Sequence, residues 1–250
     1  MDFQSLKQKP LILMSAGIGI GVVAALAVGT PLVLSQLRAE TVKPIGEPEA
    51  TTDEEAAARA AWEAQQQHVQ SVIQPMDRAT LVGDSPTRGN LDASVVVVKF
   101  SDFQCPYCAV AAANMKDFVG AHEADVLYVY KHFPLDSIHP EATPAAKATW
   151  AAQQQGQFWL YHDGLFAYQD RLSEDYYVEL AEAIGLDVEQ FNRDRNSPEA
   201  EAAVAADRQL AERLRLRGTP SFLMNDLMVP PGAPPEFFEL ALGQLQAQQE

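Results

Sequence analysis

The sequence predicts an α/β domain in which a βαβ unit is interrupted by an all-helical insertion, with a membrane-spanning helix ahead of it. Three observations lead there. Two short apolar runs, 95–100 and 126–133, flank a small-residue stretch of helical character. A long helix-forming region, about 141–217, separates them from a short strand at 221–225 and a final amphipathic segment. Near the N-terminus, 11–34 is a run of 24 residues without a charge.

At 250 residues the chain has room for one or two domains. Net charge is −16, and past residue 38 the balance is −18. Such a surface argues against binding nucleic acid or anionic lipid by the folded part; its plain role is solubility.

As a helix, 11–34 is about 36 Å long, enough for a hydrocarbon core of about 30 Å. Lys7 and Lys9 precede it. The positive-inside rule then puts residues 1–10 in the cytosol, 11–37 across the membrane as an uncleaved signal-anchor helix, and the rest outside. A cleaved signal peptide is the alternative. Its apolar region is usually about 7–15 residues and ends in an Ala-x-Ala-like site. This run is longer, and Gln36-Leu37-Arg38-Ala39 is a poor site. Either reading delivers the remainder to a compartment where disulfides persist.

Residues 38–78 read as a linker and juxtamembrane helix. The part 39–56 is rich in Pro, Glu, Thr and Ala and has no periodic apolar face, whereas 53–74 is helix-prone. The folded domain is expected over 79–250. Gly83-Asp84-Ser85-Pro86 and Arg88-Gly89-Asn90 are turn signals. The run 95–100, broken only by Lys99, has the composition of a strand buried on both faces. A helix over 106–120 and a strand over 126–133, stopped by Pro134, follow. The helical insertion breaks near Gly156, Leu172-Ser173, Gly185-Leu186-Asp187 and Asn196-Ser197-Pro198. Gly218-Thr219-Pro220 punctuates before the strand 221–225 and the helix 235–248.

Cys105 and Cys108 are the chain's two cysteines, in Cys105-Pro106-Tyr107-Cys108 at the junction of the first strand and its helix. Unpaired N–H groups and the dipole at a helix N-terminus favour a thiolate there, and the thiolate is the form that attacks a disulfide or leaves one. Cys105 is therefore the candidate nucleophile. Cys108, one turn inside, is the candidate resolving thiol. Pro106 suits the first helical turn, and Tyr107 can tune the pair's surroundings. A static disulfide and a metal site are the competing readings. A metal normally takes three or four protein ligands, and no second Cys-x-x-Cys accompanies this one. His122, His132, His139 and His162 are explicable by packing or turns, and thiol exchange needs no dedicated histidine.

Several segments together resemble the DsbA-like branch of the thioredoxin superfamily, in particular membrane-anchored bacterial DsbA/BdbD/DsbG-like proteins. They are 100–108 (Phe-Ser-Asp-Phe-Gln-Cys-Pro-Tyr-Cys), His132-Phe133-Pro134-Leu135, His139-Pro140, Gln155-Gly156-Gln157-Phe158-Trp159, Gly185-Leu186-Asp187 and Gly218-Thr219-Pro220-Ser221-Phe222. The resemblance implies a thioredoxin fold from about residue 83 onward. It implies a cis bond at Pro220 facing the cysteine pair, with Thr219 shaping its redox properties and offering backbone to substrate. It also implies extracytoplasmic thiol–disulfide exchange with cysteine-containing proteins, a dithiol oxidase first, with a reductase or isomerase, or a non-catalytic chaperone, as alternatives. A DsbB-like or vitamin-K-epoxide-reductase-like membrane partner would reoxidise the pair; no metal or organic cofactor is implied. One position departs. Many relatives carry a buried acid six residues before the first cysteine, where this chain has Lys99. A charged lysine there is expected to lower the pKa of the cysteine pair and make it more oxidising.

Overall fold

The computed structural model describes residues 53–248. The expected cytosolic segment, membrane helix and most of the tether lie outside those residues. Among the described residues, no helix is long and apolar enough to cross a membrane.

Five strands form one sheet in the order β1-β3-β2-β4-β5. They are β1 Thr87–Gly89, β2 Val95–Ser101, β3 Val126–His132, β4 Ser221–Met224 and β5 Leu227–Met228. β2 and β3 run parallel in register Val95↔Val126 to Ser101↔His132, with the helix α3, Pro106–Ala121, crossing between them. The outer pairings are antiparallel. Every residue of β2 and β3 is buried, as their near-continuous apolar composition requires of strands covered on both faces.

Alternation along β2 divides the core. Val96, Val98 and Phe100 pack with Leu127, Val129 and Leu223 against α8 (Pro198–Arg213) and α1 (Asp53–Ile73). Val95 and Val97 pack with Tyr128, Phe222 and Met224 against Met115, Phe118 and Val119 of α3 and Phe238 and Leu242 of α9 (Pro235–Ala247). The insertion between β3 and β4 holds α4 (Ala142–Gln154), α5 (Phe158–Ala167), α6 (Glu174–Ala183), α7 (Val188–Arg195) and α8. Its own core, with Ala148, Phe158, Tyr161, Tyr177 and Phe191, reaches the sheet through Phe103 and Tyr130. Ser173, Asp187 and Ser197 cap α6, α7 and α8 with their side chains, so the predicted breaks coincide with polar caps.

Three expectations change. The boundary at residue 79 falls inside a packed unit. α1 buries Val69 and Ile73, the Gln65 Nε2 donates to the Leu214 carbonyl at 2.7 Å, and Gln66 bonds both the Asp226 carbonyl and the Met228 N–H. A helix sparse in apolar residues is held by amide side chains as well as by packing. Second, the turn-rich stretch before β2 contains an edge strand, β1, preceded by a short helix α2 (Arg78–Val82) capped by Asp77. Gly89 makes the close approach possible: its φ is +88°, and a Cβ there would sit 2.2 Å from the Val126 carbonyl oxygen. Third, the strand at 221–225 ends at Met224 and turns through Asn225, at φ +53°, into β5.

Candidate active site

β2 delivers the chain to the N-terminus of α3 through a turn organised by Asp102. Its buried carboxylate accepts from the Gln104 N–H at 2.8 Å, the Leu135 N–H at 2.9 Å and His139 Nδ1 at 2.8 Å. That ties the loop after β2 to the loop after β3. From the insertion, the Gln169 Nε2 donates to the Phe103 carbonyl at 2.6 Å and the Cys105 carbonyl at 2.9 Å. Cys105 occupies the N-cap position of α3 and Pro106 the first turn.

The two sulfurs are driven apart electrostatically. Cys105 is pulled down to about 5, chiefly by a hydrogen bond from the Cys108 thiol, with the Thr219 side chain and the Cys108 and Tyr107 amides assisting against burial. Cys108 has no exposed surface. Burial, then the bond it donates to Cys105, pushes it up. As a thiol, Cys105 donates to the Thr219 carbonyl at 3.3 Å, a bond given up on ionisation. A pair with one readily ionised sulfur and one held protonated can form a mixed disulfide at the first and resolve it with the second.

Lys99 lies fully buried beneath the pair. Its Nζ donates to the Cys108 carbonyl at 3.1 Å and lies over the Phe166 ring at 5.1 Å from the centroid. Burial lowers its pKa to about 8, while the Cys108 and Cys105 thiolates and Asp163 work the other way. Its charge lowers Cys108, whereas Cys105 is set mainly by hydrogen bonds. The coupling is reciprocal, so the charge bears on both thiols, and at Cys105 it adds to hydrogen bonds that already hold the thiolate.

The Thr219–Pro220 peptide is cis and sits where two open clefts meet, each about 520 Å³. One cleft is apolar and uncharged, lined by Tyr107, Val110, Phe222, Pro230, Pro234 and Phe238 among others. The other has α1 as a wall, with Trp62 and Gln65 facing Arg215 and Arg217. Tyr107 is 74% exposed. The structure thus gathers Cys105, Cys108, Thr219, Pro220 and Lys99 at one place, with Pro106 and Tyr107 on its rim.

The histidines stand apart from the sulfurs. His139 bonds Asp102, and His122 pairs with Glu239 on the surface. His132 and His162 are buried, which pulls them down to about 3 and about 4. Asp102 and Gln169 are the residues that sequence reasoning missed. Asp102 lay inside the quoted motif, but its partners 33 and 37 positions away were invisible. Gln169 carried no signal at all. Among the described residues, no group of three or more metal-ligating side chains is assembled.

A sheet of this order, with a dithiol at the mouth of the first crossover helix and a cis-proline loop against it, defines a thioredoxin-type domain carrying a helical insertion. Residues 96–243 match the family model described as a DSBA-like thioredoxin domain, and the chain belongs to that family. It is 33% identical to a thioredoxin-like oxidoreductase from Silicibacter pomeroyi, over 69% of this chain and 99% of that one, with a TM-score of 0.63. The fold is shared with the thiol-disulfide exchange protein alpha-DsbA2 from Wolbachia pipientis (20% identity, 73% and 98% covered, TM-score 0.65). It is shared too with BdbD from Bacillus subtilis (21% identity, 66% and 94% covered, TM-score 0.59). The chain is also 41% identical over 143 residues to the Na(+)/H(+) antiporter NhaA 1 of Mycolicibacterium vanbaalenii, in a match covering 56% of this chain and 23% of the antiporter. The chain thus spans less than a quarter of the length of the curated relatives it matches.

Proposed function

We propose that the protein is an extracytoplasmic thiol–disulfide oxidoreductase, tethered by its N-terminal segment to the cell membrane with its N-terminus in the cytosol, and that it works as a dithiol oxidase. The observation that carries this is Cys105 at the N-terminus of α3, with Cys108 buried one turn inside and the cis Thr219–Pro220 loop against it, an arrangement that lowers the first thiol and raises the second. A stabilised Cys105 thiolate favours the reduced pair, so the disulfide form is more readily reduced and more oxidising toward substrates, by about 30 mV for each tenfold in the equilibrium.

In the forward cycle a substrate thiolate attacks Cys105 Sγ of the disulfide. The new S–S bond forms as the Cys105–Cys108 bond breaks, and Cys108 departs as a thiolate that takes up a proton. A second substrate thiolate then displaces Cys105, leaving the substrate oxidised by two electrons and the enzyme as the dithiol. Lys99 eases the departure of Cys108 by its charge. Pro106 and Tyr107 shape the rim, and Thr219 and Pro220 offer the backbone against which a substrate segment lies. The exposed apolar cleft at Tyr107 suits unfolded cysteine-containing proteins. Reoxidation falls to a membrane partner of the DsbB-like or vitamin-K-epoxide-reductase-like kind; the redox-active disulfide is the sole group the cycle needs.

The test is equilibration of the full-length protein in glutathione buffers, reading the fraction of Cys105–Cys108 oxidised. A potential near about −120 mV is expected of an oxidase, and one near about −270 mV would make the protein a reductant instead. Cys105→Ala is expected to abolish function in cells; full retention would mark a binding protein.

A further inference from the structure

The cleft beside α1 has a charge character opposite to that of the chain. The protein carries 34 acidic against 18 basic residues, yet the charged residues lining this cleft are Arg215 and Arg217, with no acid among its walls. The backbone forces both outward. Leu214 and Leu216 are buried in the core under α1, and the intervening Arg215, at φ +55°, turns the chain at the end of α8. Leucine in and arginine out therefore alternate along 214–217. Gln65 locks this edge to α1 through the Leu214 carbonyl at 2.7 Å. Both arginines are exposed, and neither has an ion-pair partner among the described residues. The cleft runs to Thr219 and Pro220, and Thr219 touches Cys105.

We infer that this cleft takes the stretch of substrate polypeptide next to the reacting cysteine, and that it selects stretches carrying aspartate or glutamate. The inference rests on the thiol-exchange reading and specifies its substrate class. Trp62 supplies an apolar wall for the extended segment, and the two guanidiniums meet its carboxylates in the fork geometry that arginine favours. The neutral, apolar cleft on the opposite side of Pro220 accepts the other flank without regard to charge. An otherwise acidic surface would repel acidic clients, so the paired arginines mark where such a segment is admitted.

The experiment uses the oxidised full-length protein and three peptides, each with one cysteine pair, flanked by Asp/Glu, Asn/Gln or Lys/Arg. The rate of peptide thiol loss is divided by each peptide's rate with a small disulfide, which removes the effect of flanking charge on the thiol itself. Exposed ion pairs change a rate or affinity by about 1.4- to 5-fold each. An acidic-to-neutral ratio of about fivefold is therefore expected at low salt, collapsing toward one at 1 M salt, where the Debye length is about 3 Å. Arg217→Glu is expected to bring the ratio to one or below, and Arg217→Gln to an intermediate value. Equal normalised rates for all three peptides, or a ratio unmoved by Arg217→Glu, would overturn the assignment while leaving thiol exchange intact. Failure of every peptide to be oxidised would instead remove the exchange reading, and the cleft's role with it. Phosphatidylglycerol vesicles added as competitor are expected to leave the ratio unchanged; suppression of the acidic preference would reassign the cleft to a lipid surface.

Discussion

Lys99→Met removes a buried ammonium and keeps an unbranched apolar stem. Lys99 has no exposed surface, and burial holds its pKa at about 8 against an ordinary 10.5. Each unit is about 1.36 kcal/mol, so keeping the charge at pH 7 costs the fold about 3 kcal/mol. Below pH 8, folded and unfolded chains both carry the proton, and the penalty is present in full. Between pH 8 and 10.5 the unfolded chain holds a proton that the folded chain has released, so stability rises with pH; above 10.5 the penalty is gone. The variant also loses the charged bond to the Cys108 carbonyl and the contacts with Phe166 and Tyr130, an offset of about 2 kcal/mol. A net gain of about 1 kcal/mol at pH 7 is expected. Urea denaturation of the disulfide form across this pH range is the assay, because no thiol then titrates. Without the thiolates that lift Lys99, its window opens at or below pH 8 in that form. The wild type should gain on the variant steadily toward pH 10.5. A variant less stable at pH 7, or a difference that does not change with pH, would refute the reasoning.

Other substitutions test the scaffold around the pair. Asp102→Ala strands the Gln104 and Leu135 N–H groups and His139 Nδ1, and should cost about 3 kcal/mol in urea while slowing alkylation of Cys105. Cys105 itself should reach half-maximal alkylation near pH 5 in the wild type; half-reaction at the ordinary thiol value of about 8.5 would contradict the hydrogen-bonded thiolate. Gly89→Ala forces a side chain to 2.2 Å from the Val126 carbonyl at a positive φ, with an expected loss of about 3 kcal/mol seen as a fall in Tm. Gly120→Ala in α3, which meets nothing within 4 Å, should instead gain about 0.5–1 kcal/mol. Val69→Ala should cost about 2 kcal/mol if α1 belongs to the domain; an unchanged midpoint would return α1 to the tether.

The residues alone determined the order of strands and helices around the cysteines, because the signals are local. An apolar run broken only by Lys99 makes 95–100 a strand covered on both faces, Pro106 opens a helix, and the breaks at Leu172-Ser173 and Asn196-Ser197-Pro198 divide the insertion. Placing Cys105 at a helix N-terminus needed no knowledge of the rest of the molecule. β1 and β5 were lost because three and two residues are too short for alternation to register. α1 was legible as a helix, but its docking on the domain was not, because its amide side chains find partners about 150 positions away. The family resemblance put Thr219 beside the cysteines, and the assembled sheet gave that contact its atoms, 114 positions apart; only the sheet placed the Lys99 ammonium under Cys108 and sent Gln169 back to the Cys105 carbonyl. Desolvation and hydrogen bonds between distant residues depend on what the fold brings together, and that is why the raised Cys108 thiol and the hydrogen bonds behind the lowered Cys105 belonged to the tertiary structure.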